Sequence, residues 1–398
     1  MKIAYLIPDC GISGGVAVAC QHTNRLLKRG HDIYLISQTQ ETQINWFPGL
    51  DVPIRNIDDI PQDLDVLIAT GWNTSFKLIE LFAKHKFYFV QSDETRFYPK
   101  ESVWKNLAAL SYLLKLNYIT EAKWIQSWLE KNFHHKAKLV PNGIDQEIFY
   151  PDEPLFPKSK KPRILLEGAI GLPYKGMADA FAAVKNLDAE IWCVSSLGKP
   201  NPKWQCDKFF SRVPMNEMRH IYSSCDVLLK MSRVEGFFGP PLEMMACGGA
   251  VVVSEVTGYD EYIVDEYNAL VVEPGDVKGA REAVQQIISN QTLKDRLIAN
   301  GKATADQMNW ESSIDILETH LGNVISETEG VEISSVREIA NEALSSSFDL
   351  AKKQEIAQGR WEPSVLSEPL DRIYFHLRKS SILRSIANLI FRTYKKFR

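Results

Sequence analysis

Nowhere in the 398-residue chain do about 18 consecutive apolar residues occur, so the sequence offers no membrane-spanning helix. Cysteine is sparse. The six (Cys10, Cys20, Cys193, Cys206, Cys225 and Cys247) include no CxxC pair, and several lie in apolar segments such as "IWCVS" and "MMACGG". They read as small buried hydrophobes rather than as a disulfide framework or zinc ligands. A large net charge is also missing. The formal value of −4 gives no whole-surface attraction to nucleic acid. The opening "MKIAYLIPDC" has too short an apolar run for a signal peptide and no cleavage site, so a cytoplasmic protein is expected. The sequons at Asn73 and Asn290 then carry no glycan. Metal-ligand spacing is absent as well. His134 and His135 are adjacent and cannot share a helix face, and the Asp63–Asp65 "DLD" leads straight into an apolar strand. No cofactor or metal is expected.

What is present is a rhythm of short apolar runs and amphipathic helical patterns. Residues 3–7, 32–37, 65–70, 87–91 and 117–120 read as buried parallel strands. Between the first two, Val16, Ala19, Cys20, Thr23, Leu26 and Leu27 recur on one helical face, and Gly30 ends that helix. Residues 138–162 hold five prolines and a basic run and read as an interdomain linker. The rhythm then restarts, with strands at 163–168, 190–195, 226–232, 250–255 and 269–273 and helices between and after them. The fold class expected is α/β, with two doubly wound, Rossmann-like domains at 1–150 and 151–323. A ligand would sit at the carboxyl edges of the strands, between the domains. Residues 324–372 are Ser/Glu-rich with weak periodicity, and read as a partly helical, loosely packed extension.

The chemistry concentrates in "RVEGFFGPPLEMMA" (233–246). A strand delivers the chain to Arg233 and Glu235, and a helix is expected to start near Pro241. Gly236 and Gly239 allow a turn and a close approach of ligand to backbone. A helix N-terminus suits a phosphate, and Glu243 in the expected first turn can accept hydrogen bonds from a ribose diol. Glu235 lies where the group attached to that phosphate would sit. Taken singly, each acid also reads as a helix-dipole partner or a solvated loop residue. Flanking one glycine loop, they point to a nucleoside diphosphate carrying a further group.

"EGFFGPPLE" resembles the E-x7-E signature of the retaining glycosyltransferases of family 4, which have the GT-B fold. "SGGVAV" (13–18), "LVPNGIDQEIFYP" (139–151), "PYKG" (173–176), "ALVVEPGD" (269–276) and "NWESSIDILE" (309–318) resemble further segments of that family, in its order. The resemblance covers about residues 1–323. It implies a nucleotide-sugar donor, held by Glu243 at the ribose and Glu235 at the sugar hydroxyls. Backbone at Phe237, Phe238 and Gly239 would face sugar and diphosphate, and Lys175 would neutralise the leaving group. Gly14 and Gly15 would approach the same diphosphate, and Arg212 and Val213 would lie at the nucleobase. The spacing of Gly11, Gly14 and Gly15 is not G-x-G-x-x-G, which argues against a dinucleotide.

Two departures stand out. The family usually has an Arg about five residues before its loop Lys, and here that area holds Gly168, Ala169 and Ile170. Either Lys175 acts alone or another cation, such as Arg233, takes part. Pro240 removes one N–H from the diphosphate cradle. On the acceptor side, "YFVQSDETRFYP" (88–99) resembles a segment of bacterial sugar transferases and puts Gln91, Asp93 and Glu94 at a strand's carboxyl edge. A solvated turn capping the next helix is the alternative there. The expected acceptor is a saccharide or a lipid-linked sugar, in cell-surface polysaccharide or glycan synthesis. A nucleotide-sugar epimerase and a non-catalytic scaffold of the same fold are the rival functions.

The C-terminal "HLRKSSILRSIANLIFRTYKKFR" (376–398) carries seven cations and no acid. Its apolar residues recur at helical spacing, which suits shallow contact with an anionic membrane surface. A terminal helix docked on the acidic body is the alternative. The localisation expected is cytoplasmic, peripheral at the inner face of the membrane.

Overall fold

A computed structural model describes residues 1–100, 102–157, 160–328 and 335–357. The first domain runs β1 (Lys2–Ile7), α1 (Gly14–Lys28), β2 (Asp32–Ser37), β3 (Ile54–Asn56), β4 (Val66–Ala69), α2 (Trp72–Glu80), β5 (His85–Val90), α3 (Val103–Ser111), β6 (Asn117–Thr120), α4 (Lys123–Phe133) and β7 (Lys138–Leu139). Its seven strands are all parallel, in the order β3-β2-β1-β4-β5-β6-β7. The central strands are buried on both faces, as their unbroken Val/Ile/Leu/Phe runs demand. The second domain runs β8 (Arg163–Glu167), α5 (Met177–Val184), β9 (Glu190–Ser195), β10 (Lys208–Ser211), α6 (Met215–Ser224), β11 (Val227–Lys230), α7 (Gly239–Ala246), β12 (Ala250–Ser254), β13 (Leu270–Val272), α8 (Val277–Ser289) and α9 (Gln291–Gln307). Its six parallel strands follow the order β10-β9-β8-β11-β12-β13. In both sheets the strand order reverses beside the first strand, between β1 and β4 and between β8 and β11. These are the switch points where open α/β sheets leave a crevice for ligands.

Two helices return to the first domain. α10 (Trp310–Thr328) reads in sequence as the close of the second domain, yet Ile314, Leu317 and Leu321 are buried in the first domain's core beside Ile3, Tyr5 and Ala19. Arg25 of α1 and Arg29 just past its end bind Glu311 on it, and Arg29 also binds Asp315 and Glu318. A backbone bridge between Ile144 and Asn309 closes the return path. α11 (Ser335–Ala357) lies in the stretch expected to pack loosely. It docks on α2, with the Phe348 ring stacked on Phe76 at 4.2 Å between centroids. Leu344, Phe348 and Ala351 share that face at i, i+4 and i+7 spacing. The 376–398 segment lies outside the described residues.

Candidate active site

Between the domains lies a cavity of about 650 Å³, within the range of small-molecule and cofactor sites. It opens at the carboxyl ends of both sheets. Two helix N-termini reach it from opposite sides. α1 begins at Gly14, with Ser13 as N-cap accepting from the Val16 N–H at 3.2 Å, and α7 begins at Gly239. α1 presents unpaired N–H groups and the positive end of a helix dipole, whereas α7 presents its dipole end alone, because the Gly239 N–H donates to the Phe237 carbonyl at 3.1 Å and Pro240 and Pro241 have no N–H. α7 starts two residues earlier than expected, because Pro240 and Pro241 have the φ of a first turn and need no N–H there. Glu243 therefore sits in the second turn, not the first. A side chain at Gly15 would come within 3.0 Å of the Gln91 amide, so the close packing there favours glycine. Gly14 faces open space.

The acids differ sharply in state. Glu235 is only 8% exposed. Burial opposes its charge, but Lys175 and then Lys230 outweigh it and hold the carboxyl below its usual range. Lys175 reaches Glu235 Oε2 at 2.8 Å, while Oε1 has no partner among the described residues. The tight turn Pro173–Lys175 aims the lysine. It ends in Gly176 at φ +61°, where a Cβ would meet the Met231 carbonyl. Glu243 is pushed up to about 7 by burial, with Glu167 adding to the rise, although the Tyr222 hydroxyl donates to it at 2.8 Å.

Most of the residues singled out in the sequence line this one cavity: Gly14, Gly15, Gln91 and Glu94 from the first domain, and Lys175, Arg212, Val213, Glu235, Phe237, Gly239 and Glu243 from the second. Arg212 adopts a left-handed backbone at φ +53°, unusual for a residue with a Cβ. Three residues depart from expectation. Phe238 is fully buried in the second domain's core, and its carbonyl accepts from the Tyr262 hydroxyl. Arg233 turns away and pairs with Asp179, its side chain 48% exposed, so it is not the second cation of the cleft. Asp93 caps the following turn through the Thr95 N–H and hydroxyl, the alternative weighed in the sequence. Glu94 lines the cleft but caps α2, accepting from the Trp72 N–H at 2.7 Å and the Tyr88 hydroxyl at 3.1 Å. Gln91 is better placed to meet a ligand. Its Nε2 donates to the Thr70 carbonyl while its buried Oε1 has no partner among the described residues.

Three cleft residues escaped sequence reasoning: Glu121, Lys230 and Glu167. Glu121, just past β6, is 4% exposed and pushed up to about 8 by burial. It accepts from Asn142 Nδ2 at 2.9 Å and, across the domain boundary, from the Phe237 N–H at 3.1 Å. Lys230, the last residue of β11, reaches Glu167 Oε2 at 2.6 Å and the Glu167 carbonyl at 3.0 Å. The signal available was position: each charge ends a buried parallel strand or follows it directly.

The glycine loop is clamped between the domains. Trp124 Nε1 donates to the Gly236 carbonyl at 2.9 Å, and a Cβ on Gly236 would sit 1.8 Å from the Gln91 carbonyl oxygen. Phe97 and Tyr174 stack across the same boundary at 5.1 Å.

Two facing Rossmann-like domains with such a cleft define the GT-B fold expected from the sequence. Anabaena HepE, solved in complex with UDP-glucose, has this fold: it superposes with a TM-score of 0.63 at 13% identity, covering 80% of this chain and 99% of its own. Residues 207–304 match the family model of glycosyl transferases group 1, which bears out the resemblance to glycosyltransferases over that stretch. An uncharacterized glycosyltransferase of Methanocaldococcus jannaschii is 27% identical over 205 residues, 49% of this chain and 56% of that protein. The N,N'-diacetylbacillosaminyl-diphospho-undecaprenol alpha-1,3-N-acetylgalactosaminyltransferase of Campylobacter jejuni is 26% identical over 249 residues, 61% and 60% of the two chains. In the first of the curated relatives the matched stretch is therefore little over half of the protein.

Proposed function

We propose that this protein is a retaining glycosyltransferase, moving a sugar from a nucleoside-diphosphate donor to a saccharide or lipid-linked acceptor. The observation that carries this reading is convergence. Two helix N-termini, the Lys175 ammonium and two flanking acids meet in one interdomain cavity, a set suited to a diphosphate with a ribose on one side and a sugar on the other. The names of relatives add to it: HepE binds UDP-glucose, and the C. jejuni enzyme acts on an undecaprenyl-diphosphate-linked sugar.

In this reading Glu243 accepts hydrogen bonds from the ribose hydroxyls, and the ligand's donors favour its charged form. The free Oε1 of Glu235 accepts from a sugar hydroxyl, while Lys175 stays between Glu235 and the diphosphate. The bond from the anomeric carbon to the diphosphate oxygen breaks first, leaving an oxocarbenium-like sugar. Charge grows on the departing oxygen, where Lys175 and the α1 and α7 dipoles stabilise it. The acceptor hydroxyl enters on the face that the phosphate leaves. Its oxygen bonds to the anomeric carbon, its proton passes to the departing phosphate, and configuration is retained. The clamp at Gly236 keeps bulk water from taking the acceptor's place.

Membrane contact through 376–398 belongs to the same proposal. A peripheral tail would hold the cleft near a lipid-linked acceptor, at about 1 kcal/mol per basic residue near the headgroups.

A thermal-shift panel of nucleoside diphosphates against the corresponding nucleosides tests the donor side. A diphosphate at 100 times its dissociation constant adds about 2.7 kcal/mol of stability. Stabilisation by no diphosphate, or equal stabilisation by nucleoside and diphosphate, contradicts the reading.

A further inference from the structure

Lys230 is 2% exposed, at the end of a strand that is otherwise Val227, Leu228 and Leu229. A buried ammonium loses hydration and needs replacement partners. It has two, both on Glu167: the carboxylate and the backbone carbonyl. An ammonium has three N–H donors, so one remains beyond these. The pair bridges the ends of β8 and β11, which are neighbours in the sheet and form its switch point. Lys230 thus sits where a doubly wound sheet receives its ligand.

Its surroundings sharpen the placement. The ammonium lies 5.9 Å from the ring of Phe238, the residue that precedes α7. It acts electrostatically on both Glu235 and Glu243, the two acids of the glycine-loop motif. Both residues of the pair line the interdomain cavity, together with Lys175. The cavity is short of positive charge for an anion. Asp9, Glu94, Glu121, Asp145, Glu167, Glu235 and Glu243 line it against Lys175, Arg212 and Lys230, and Lys175 is already held by Glu235 at 2.8 Å. Arg233 points to Asp179, and Ile170 occupies the position where the sequence lacks an arginine.

We propose that Lys230 is the second cation for the donor's diphosphate, held in place by Glu167 until the anion arrives. The assignment rests on the donor reading above and adds a residue to it. A phosphate oxygen takes the donor that Glu167 leaves unused, and the ammonium then bridges carboxylate and phosphate. A merely structural ion pair closing the switch point would serve the fold and treat all ligands alike.

The test compares affinities of nucleoside and nucleoside diphosphate of the base that the wild type prefers, by calorimetry, in wild type, Lys230→Met, Lys230→Arg and Lys230→Met/Glu167→Leu. The double variant removes the charge without stranding a carboxylate, and replaces Lys230→Met if that protein fails to fold. Lys230→Met and the double variant should lose at least tenfold of the preference for diphosphate over nucleoside, with nucleoside affinity changing less than twofold. Lys230→Arg should keep most of the preference. An unchanged preference, or equal loss for both ligands, overturns the assignment while leaving the donor reading intact. A wild type with no diphosphate preference for any base overturns both.

Discussion

Gly236→Ala should weaken the closed cleft without harming either domain. The added methyl would sit 1.8 Å from the Gln91 carbonyl oxygen. Even a favourable C–H···O approach needs about 3.3–3.6 Å, so the loop must retreat by about 1.5 Å. Retreat breaks the Trp124 bond to the Gly236 carbonyl and the Phe237 N–H bond to Glu121. Each bond contributes about 0.5–1.5 kcal/mol, and a buried group left unpaired costs about 1–3 kcal/mol. The closed form should lose about 2–4 kcal/mol, roughly 30- to 1,000-fold in its population. Gly236 contributes no side chain to either core, although Phe237 and Phe238 next to it pack in the second domain's, so melting should move less than turnover. The assay pairs donor turnover with small-angle scattering. Turnover should fall at least tenfold as the radius of gyration grows. A variant with wild-type turnover and wild-type dimensions would refute the clamp.

Glu243→Ala should weaken nucleoside-diphosphate binding about tenfold or more, since charge-assisted hydrogen bonds contribute about 1.5–3 kcal/mol; unchanged affinity in calorimetry removes its role. Lys175→Ala should lower kcat more than it raises the donor KM, because the leaving-group charge it faces develops in the transition state; steady-state kinetics with near-normal kcat would exclude it. Glu121 is raised to about 8, and Glu94 and Glu243 to about 7, all mainly by burial. Carboxyls raised in the fold favour it fully below their ordinary value near 4.5, and lose that contribution as pH climbs through 7–8. Melting temperature should therefore fall from pH 5 to pH 8.5. Glu121→Gln keeps an acceptor for Phe237, and should flatten that fall; an equally steep profile contradicts the assignment. Finally, the full chain should sediment with anionic liposomes at low salt, and a chain truncated after Pro369 should not.

The sheets were legible because a doubly buried parallel strand leaves an unbroken apolar run, as in "IAYLI" and "AVVVS". The short edge strands β3 and β10 leave no such run, with three half-buried residues in one and an exposed Ser211 in the other. Glu235, Glu243 and Lys175 were legible through local motifs. Arg233 misled because local sequence does not say which way a loop side chain turns, and Asp179 on α5 captured it. Phe238 misled for the opposite reason: in a ligand-facing loop, one of two adjacent aromatics is spent on the core. Glu121 and Lys230 were missed because their partners are remote in the chain, Phe237 and Glu167, 116 and 63 residues away. The return of α10 to the first domain rests likewise on contacts that no local period encodes. A charge ending a buried parallel strand, as in "RILLEG" and "DVLLKMS", marks a cleft residue wherever the strand's carboxyl end faces a ligand.

The most direct test measures nucleoside diphosphate released from a panel of nucleotide sugars, with membrane-extracted lipid-linked saccharides as acceptors, for wild type and Glu243→Ala. At least one donor should release diphosphate in step with a glycosylated acceptor, and the variant should be at least tenfold slower at limiting donor. Release from no donor, sugar products formed without any acceptor, or equal rates for the two proteins would contradict the account.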